Sequence, residues 1–290
     1  MKNAHESRGA VFFRCFAATI GLVGAALAIW FLIYRTISEK PEVPPPVDQT
    51  LPTAEDRLTV LVLGSEDGEG LPEVCFLVGF LPDKGTIAVC NLPLQTYWKA
   101  NGLEGTIASA YSSGGVSYLR QQLAAYFEIS IDRTLAIDQQ GLETLVFTAG
   151  TLPYTLQEDL VGTVHGRKVS YPRGSYELDA RSIADLMLLP GATAARRSDR
   201  AAEVLRQMLS LHLPGVLTES GAKLYQNLLN NSTTDLSYLD YLEHEQAAQF
   251  LATREGNAVS CVYIDGTDGR EAYFLSATTL ACIRGTFAAE

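Results

Sequence analysis

Apolar residues run from Cys15 to Tyr34 (CFAATIGLVGAALAIWFLIY) without a charge. A helix rises about 1.5 Å per residue, so roughly 20 such residues match a hydrocarbon core of about 30 Å. Arg14 and Arg35 bracket the run, and Trp30 and Tyr34 lie near its outer end, as interfacial aromatics do. Lys2, Arg8 and Arg14 precede it, which by the positive-inside rule puts the N-terminus in the cytoplasm. A cleaved signal peptide would have a shorter apolar region ending in small residues, whereas this run ends in Trp30 to Tyr34, so an uncleaved anchor is expected. Pro41, Pro44, Pro45, Pro46 and Pro52 follow, a density that favours extended polyproline conformation and a spacer.

From Leu58 the pattern becomes that of a globular domain. Leu58 to Leu63 (LTVLVL) is a continuous apolar run, as a strand covered on both faces requires, and it stops at Gly64-Ser65. Val74 to Leu81 and Thr86 to Leu92 read as a hairpin turning at Asp83-Lys84-Gly85. Gly115 to Phe127 has helical spacing, with Val116, Leu119, Leu123 and Tyr126 on one face. Thr134 to Ile137 reads as a strand, and Gln140 to Ala149 as a helix closed by Gly150. Asp179 to Leu189 is a helix ending at Pro190-Gly191. Ser198 or Asp199 is expected to cap the next, which runs to about Leu213. Leu236 to Thr253 is a last helix, and Ala258 to Ile264 with Ala272 to Leu275 suggest a terminal hairpin. The expected organisation is a cytoplasmic tail (1–14), a transmembrane helix (15–34), a spacer (35–57) and one extracytoplasmic α/β domain (58–290), its mixed central sheet flanked by helices.

Composition narrows the partners. The net charge of -11 argues against nucleic acid, which needs a basic face. Cys75, Cys90, Cys261 and Cys282 would lie where disulfides persist; Cys75 and Cys90 flank the hairpin turn and read either as a bond or as two small buried thiols. No Walker loop, G-x-G-x-x-G, H-E-x-x-H or G-x-S-x-G is present. His5, His165, His212 and His244 are scattered and read as ordinary surface or core histidines.

An ordered set of short segments carries a resemblance. Leu61-Val62-Leu63-Gly64-Ser65 resembles an opening strand and Gly-Ser-Asp turn, and Glu73 to Val78 a Ser-Asp-Thr-apolar strand with Glu73 at the aspartate. Asn91-Leu92-Pro93-Leu94-Gln95-Thr96-Tyr97 resembles Ser-Ile-Pro-Arg-Asp-Thr-Tyr. Thr106 to Tyr111 with Gly114-Gly115 resembles Lys-Ile-Asn-Ala-Ala-Tyr and paired glycines. Ile137-Asp138 with Gly141-Leu142, Leu178-Asp179-Ala180, and Arg206-Gln207 complete the series. Together, over about Leu58 to Leu251, the segments resemble the LytR-CpsA-Psr family, the cell envelope-related transcriptional attenuator domain.

The resemblance implies a membrane-anchored protein of cell envelope biogenesis. Members of the family transfer glycopolymers, such as teichoic acids, from polyprenyl-pyrophosphate carriers onto peptidoglycan. Arginines hold the pyrophosphate, acidic residues hold Mg2+, and an apolar channel takes the lipid. Such phosphotransfer rests on positioning and charge neutralisation. The implied partners are a polyprenyl-phosphate lipid, a cell-wall glycopolymer or peptidoglycan, and the membrane.

Departures bear on activity. The family's Arg-Asp is Leu94-Gln95, a later arginine falls on Leu188, and the lysine and asparagine before Tyr111 are Thr106 and Ala108. Each removes a charge or donor, and losing one such contact costs about 10²–10³ in rate. Arg197 and Arg200 remain as ligand or catalytic candidates, Arg206 and Gln207 as ligand candidates, and Asp67 and Glu73 as metal candidates. Arg200 and Arg206, six residues apart, diverge around a helix, so Arg197 and Arg200 are the better pair. The cluster also reads as a solvated helix start, and Glu73 as an edge-strand carboxylate facing water. Three functions stand: a glycopolymer-peptidoglycan phosphotransferase, a catalytically degenerate module that binds the lipid carrier, and an unrelated anchored α/β sensor or interaction domain.

Overall fold

The computed structural model describes residues 51–68, 70–254 and 256–288. The tail, the anchor over 15–34 and most of the spacer over 35–57 lie outside the described residues. Among the described residues no helix is long and apolar enough to cross a membrane. The end of the spacer is not extended: Thr53 caps a short 3-10 turn, Ala54–Asp56, and Arg57 pairs with Asp83 at 2.5 Å.

Fourteen strands are described: β1 Leu58–Ser65, β2 Val74–Leu81, β3 Thr86–Asn91, β4 Tyr97–Ala100, β5 Leu103–Thr106, β6 Arg133–Asp138, β7 Leu152–Leu156, β8 Leu160–Val164, β9 Arg167–Tyr171, β10 Gly174–Leu178, β11 Thr233–Thr234, β12 Val259–Cys261, β13 Gly266–Asp268 and β14 Tyr273–Leu275. The helices are α1 Ile107–Phe127, α2 Gln139–Ala149, α3 Ala180–Leu188, α4 Ala194–His212, α5 Glu219–Asn230, α6 Tyr238–Thr253 and α7 Ala277–Phe287. Six strands form the central sheet in the order β11-β6-β1-β2-β3-β12. It is mixed: β1 runs parallel to β6 and antiparallel to β2, and β12 is parallel to β3. The expected class, a mixed sheet flanked by helices, is what the chain builds.

The β2–β3 hairpin turns through Pro82–Lys84 and Gly85, whose φ of 72° a side chain would strain. Cys75 and Cys90 are buried, free thiols, and burial pushes Cys75 up to about 12. Alternate residues of β1 and β2 face two different environments. Leu61, Leu63, Cys75 and Leu77 pack against Leu119, Leu123 and Phe127 of α1 and Ile283 and Phe287 of α7. Phe76, Ile87 and Val89 face the layer holding α3 and α4.

Four expectations are corrected. The helix expected from Gly115 begins at Ile107, capped by Thr106, and breaks at Gly114-Gly115, where Gly115 takes φ 66°. Neither Ser198 nor Asp199 caps α4: Thr193 does, accepting from the Arg196 N–H at 3.2 Å. Those polar side chains serve tertiary contacts instead, Ser198 Oγ donating to Asn91 O at 2.6 Å and Asp199 accepting from the Ile264 N–H at 3.3 Å. Residues 258–264 do not form a hairpin with 272–275; β12 adds to the central sheet, and the hairpin is β13–β14. Finally, β7 to β10 form two nested antiparallel pairs between α2 and α3 where no strands were expected.

Candidate functional site

Two cavities meet at the start of β2, where Glu73 and Val74 line both. The first, about 500 Å³, lies between the sheet and the helices covering its second face. Val60, Val62 and Phe76 form its floor, Leu142 and Leu188 its near wall, and Leu224 its far wall. The even-numbered side chains of β1 point into it while the odd-numbered ones pack on α1, so an uninterrupted apolar strand serves both faces. Leu188, at a position where the resemblance has an arginine, adds apolar surface to this wall.

The polar rim is built by loops. Glu66 follows β1, and Glu73 precedes β2, its N–H donating to Gly64 O at 2.7 Å. His165 and Gly166 form the tight turn between β8 and β9 with φ of 46° and 71°, a two-residue turn of the kind that hairpin twist favours. That turn carries His165 to the acidic rim: Nε2 donates to Glu73 Oε1 at 2.6 Å, and Nδ1 lies 3.3 Å from Glu66 Oε1. Sequence reading treated His165 as an ordinary histidine. The only signal was a His-Gly pair between two short alternating runs.

The second cavity, about 590 Å³, has a mixed lining of charged, polar and apolar residues. The Asn91 to Gln95 segment, which the resemblance had singled out, forms one side, Arg197 and Ser198 of α4 another, and the β13–β14 turn the third. Arg197 sits in the first turn of α4; its Nη2 donates to Glu73 O at 3.2 Å, and burial holds its guanidinium below the usual arginine range.

The other candidates part from this place. Arg200 donates Nε to Leu186 O at 2.7 Å and Nη2 to Leu189 O, satisfying carbonyls at the end of α3. Arg206 pairs with Glu203 on its own helix at 2.5 Å, and Gln207 donates to Pro153 O at 2.7 Å. None of the three lines either cavity. Asp67 is exposed and accepts the Gly70 N–H at 3.0 Å within its own loop. Neither metal candidate is without a protein partner. Glu73 is engaged by His165, Asp67 by its loop, and among the described residues no three ligating side chains gather around a cation position.

No curated protein matches this sequence. Solved structures do. A protein of Eubacterium siraeum described as a transcription regulator is 13% identical, with a TM-score of 0.75 over 87% of this chain and 100% of its own. TagV of B. subtilis is 18% identical, with a TM-score of 0.66 over 80% of this chain and 95% of its own. TagT, solved bound to LI-WTA, is 16% identical, with a TM-score of 0.60 over 84% of this chain and 92% of its own. At such identities the likeness is one of fold. The family model LytR_cpsA_psr, however, matches residues 33–284, and with the ordered segments, the mixed sheet and the apolar cavity in place, the chain belongs to the LytR-CpsA-Psr family.

Proposed function

We propose that this protein is a membrane-anchored, extracytoplasmic member of the family that binds a polyprenyl-(pyro)phosphate-linked cell-wall glycopolymer and holds it without transferring it. The observation that carries this reading is the cavity of about 500 Å³ lined by apolar side chains on one face of the sheet. Protein interiors are normally close-packed, so an apolar void of this size calls for an apolar occupant. TagT, a structural relative, was solved bound to LI-WTA and to LIIa-WTA, which points to wall glycopolymers as the ligand class.

The rim supports holding over transfer. Leu94, Gln95 and Leu188 supply no charge where the resemblance has Arg, Asp and Arg. Glu73 gives one carboxylate oxygen to His165, which competes with a cation for it. Arg197 alone among the candidate arginines lines a cavity at the rim and is the group we assign to the phosphate. A single buried guanidinium offers a charge-assisted contact but not the combined neutralisation that phosphoryl transfer demands.

The test is to supply the full chain in detergent with a polyprenyl-pyrophosphate ligand, with and without Mg2+. Saturable binding without Mg2+-dependent cleavage is expected. Cleavage that falls on Glu73→Gln would establish a transferase and contradict the holding reading. For topology, a reporter fused after Glu290 should be active only outside the cytoplasm; activity inside would refute the anchored arrangement.

A further inference from the structure

We propose that the β8–β9 hairpin is a clasp at the rim of the apolar cavity, and that its latch, His165, sets how fast an apolar ligand enters and leaves. That the ligand is a prenyl lipid rests on the reading above; the clasp rests on how the hairpin is built.

The hairpin belongs to one wall of the cavity and is latched to the other. Among the described residues β8 and β9 pair only with each other, and a lone two-stranded ribbon is marginal without support. The helical wall supplies that support. Arg167 Nη2 donates to Asp185 Oδ1 at 2.6 Å and the Tyr171 hydroxyl to Oδ2 at 2.9 Å, and Asp185, on α3, is buried. Past the end of α3, β8 runs so close that a Cβ on Gly162 would lie 2.7 Å from Leu189 Cδ2. The Arg173 N–H donates to Asp159 Oδ1 at 2.6 Å and closes the base of the hairpin. The same helix lends Ile183, Met187 and Leu188 to the cavity wall. The tip reaches the opposite side. Glu66 and Glu73 lie in the connection between β1 and β2, the strands of the cavity floor, and each brings a carboxylate oxygen within 3.3 Å of the His165 ring. His165 therefore ties the helical wall to the sheet at the rim.

The residue at the latch is not the one the turn asks for. His165 and Gly166 take φ of 46° and 71°, and two-residue turns with both residues left-handed favour asparagine followed by glycine. Histidine adds a reach that the turn does not need and the two carboxylates do. The hairpin is also held unevenly. Val164 and Val169 are buried beneath its strands, whereas His165 and Gly166 at its tip are exposed. A tip held by polar contacts at the surface opens more readily than the buried strands behind it. Arg197 makes a second tie across the rim, from α4 to Glu73 O at 3.2 Å, so loosening His165 frees the tip without parting the sheet from α4.

The experiment measures association and dissociation rates of tritiated farnesyl pyrophosphate on the full chain in detergent, for the wild type and for His165→Asn. Asparagine suits the left-handed turn and is too short for the latch. A gate scales entry and exit together through the fraction of time it is open, so both rates should rise about tenfold, the scale of one lost charge-assisted hydrogen bond. A rise in the dissociation rate alone would make the ring an ordinary ligand contact and overturn the clasp, as would two unchanged rates. If farnesyl pyrophosphate binds neither form, the lipid reading fails by itself, and amide hydrogen exchange decides the clasp. Faster exchange over residues 163–168 in His165→Asn, with residues 61–63 of β1 as protected as before, upholds it. Exchange that is unchanged at the tip, or faster in both places, overturns it.

Discussion

One face of the central sheet lies against α1 and α7, where Leu119, Leu123, Phe127 and Ile283 have no accessible surface. The other face carries α3 and α4 and is also crossed by α2, α5 and α6, yet it leaves about 500 Å³ of apolar space open. Both faces are built from the same two strands and the same residue types, so hydrophobicity does not distinguish them. What differs is who supplies the last contact: on the first face the protein's own helices, on the second, in the proposed reading, a molecule from outside. A wall that faces a void has already forgone its dispersion contacts, and its residues should tolerate change that the packed face does not.

The sharpest way to break this comparison is truncation on each side. Leu123→Ala should cost about 3 kcal/mol in a denaturant melt, within the usual range for a fully buried leucine. Leu142→Ala, on the cavity wall, should cost less than about 1 kcal/mol, below the range for a packed leucine. Equal losses would mean the cavity is not open in solution.

Next in size is the split between two neighbouring arginines. Arg200→Ala should cost about 2 kcal/mol in stability, because it removes charged hydrogen bonds to two carbonyls ending α3, without altering lipid affinity directly. Arg197→Ala should cost only about 1 kcal/mol in stability, through its one carbonyl hydrogen bond, while weakening polyprenyl-phosphate binding about tenfold, or about 1.4 kcal/mol. The reverse pattern would exchange their assigned roles.

The smallest effect is expected at Arg206. Its pair with Glu203 is partly exposed, so Arg206→Ala should cost no more than about 1 kcal/mol at neutral pH. The Arg206 hydrogen bonds hold the Glu203 carboxyl below its usual range, so that stability is present above the unfolded carboxylate pKa and is lost as pH falls through the folded one. Melting curves of wild type and Arg206→Ala should therefore converge as pH drops below about 4. A gap that persists there would point to packing rather than charge.

Much of this fold was legible where local chemistry and tertiary role agree. The run from Leu58 to Leu63, the turn at Gly85, and the helices ending at Gly150 and Pro190 all fell within a few residues of their place. The start of α4 was not legible: Ser198 and Asp199 have the chemistry of caps, but Asn91 and Ile264 engage them, and Thr193 takes the role. The nested strands β7 to β10 were missed although Leu152, Tyr154 and Leu156 alternate with exposed neighbours. In the site, the segment from Asn91 to Gln95 and Arg197 came from the sequence, as did Glu73. His165 could not, because its partners lie 92 and 99 residues away in the chain and only a two-residue turn brings them together. The cavity itself has no sequence signature, since side chains that line a void read the same as side chains that fill one.

The most direct test of the lipid-holding claim compares two forms of the full chain purified from a membrane that contains polyprenyl phosphates. Bound lipid is extracted and weighed by mass spectrometry from the wild type and from Leu142→Trp, which fills the cavity with its own side chain. The account predicts near-stoichiometric polyprenyl phosphate in the wild type and at least a tenfold loss in Leu142→Trp, with the melting temperature unchanged or raised. Equal lipid in both, or none in either, would contradict it.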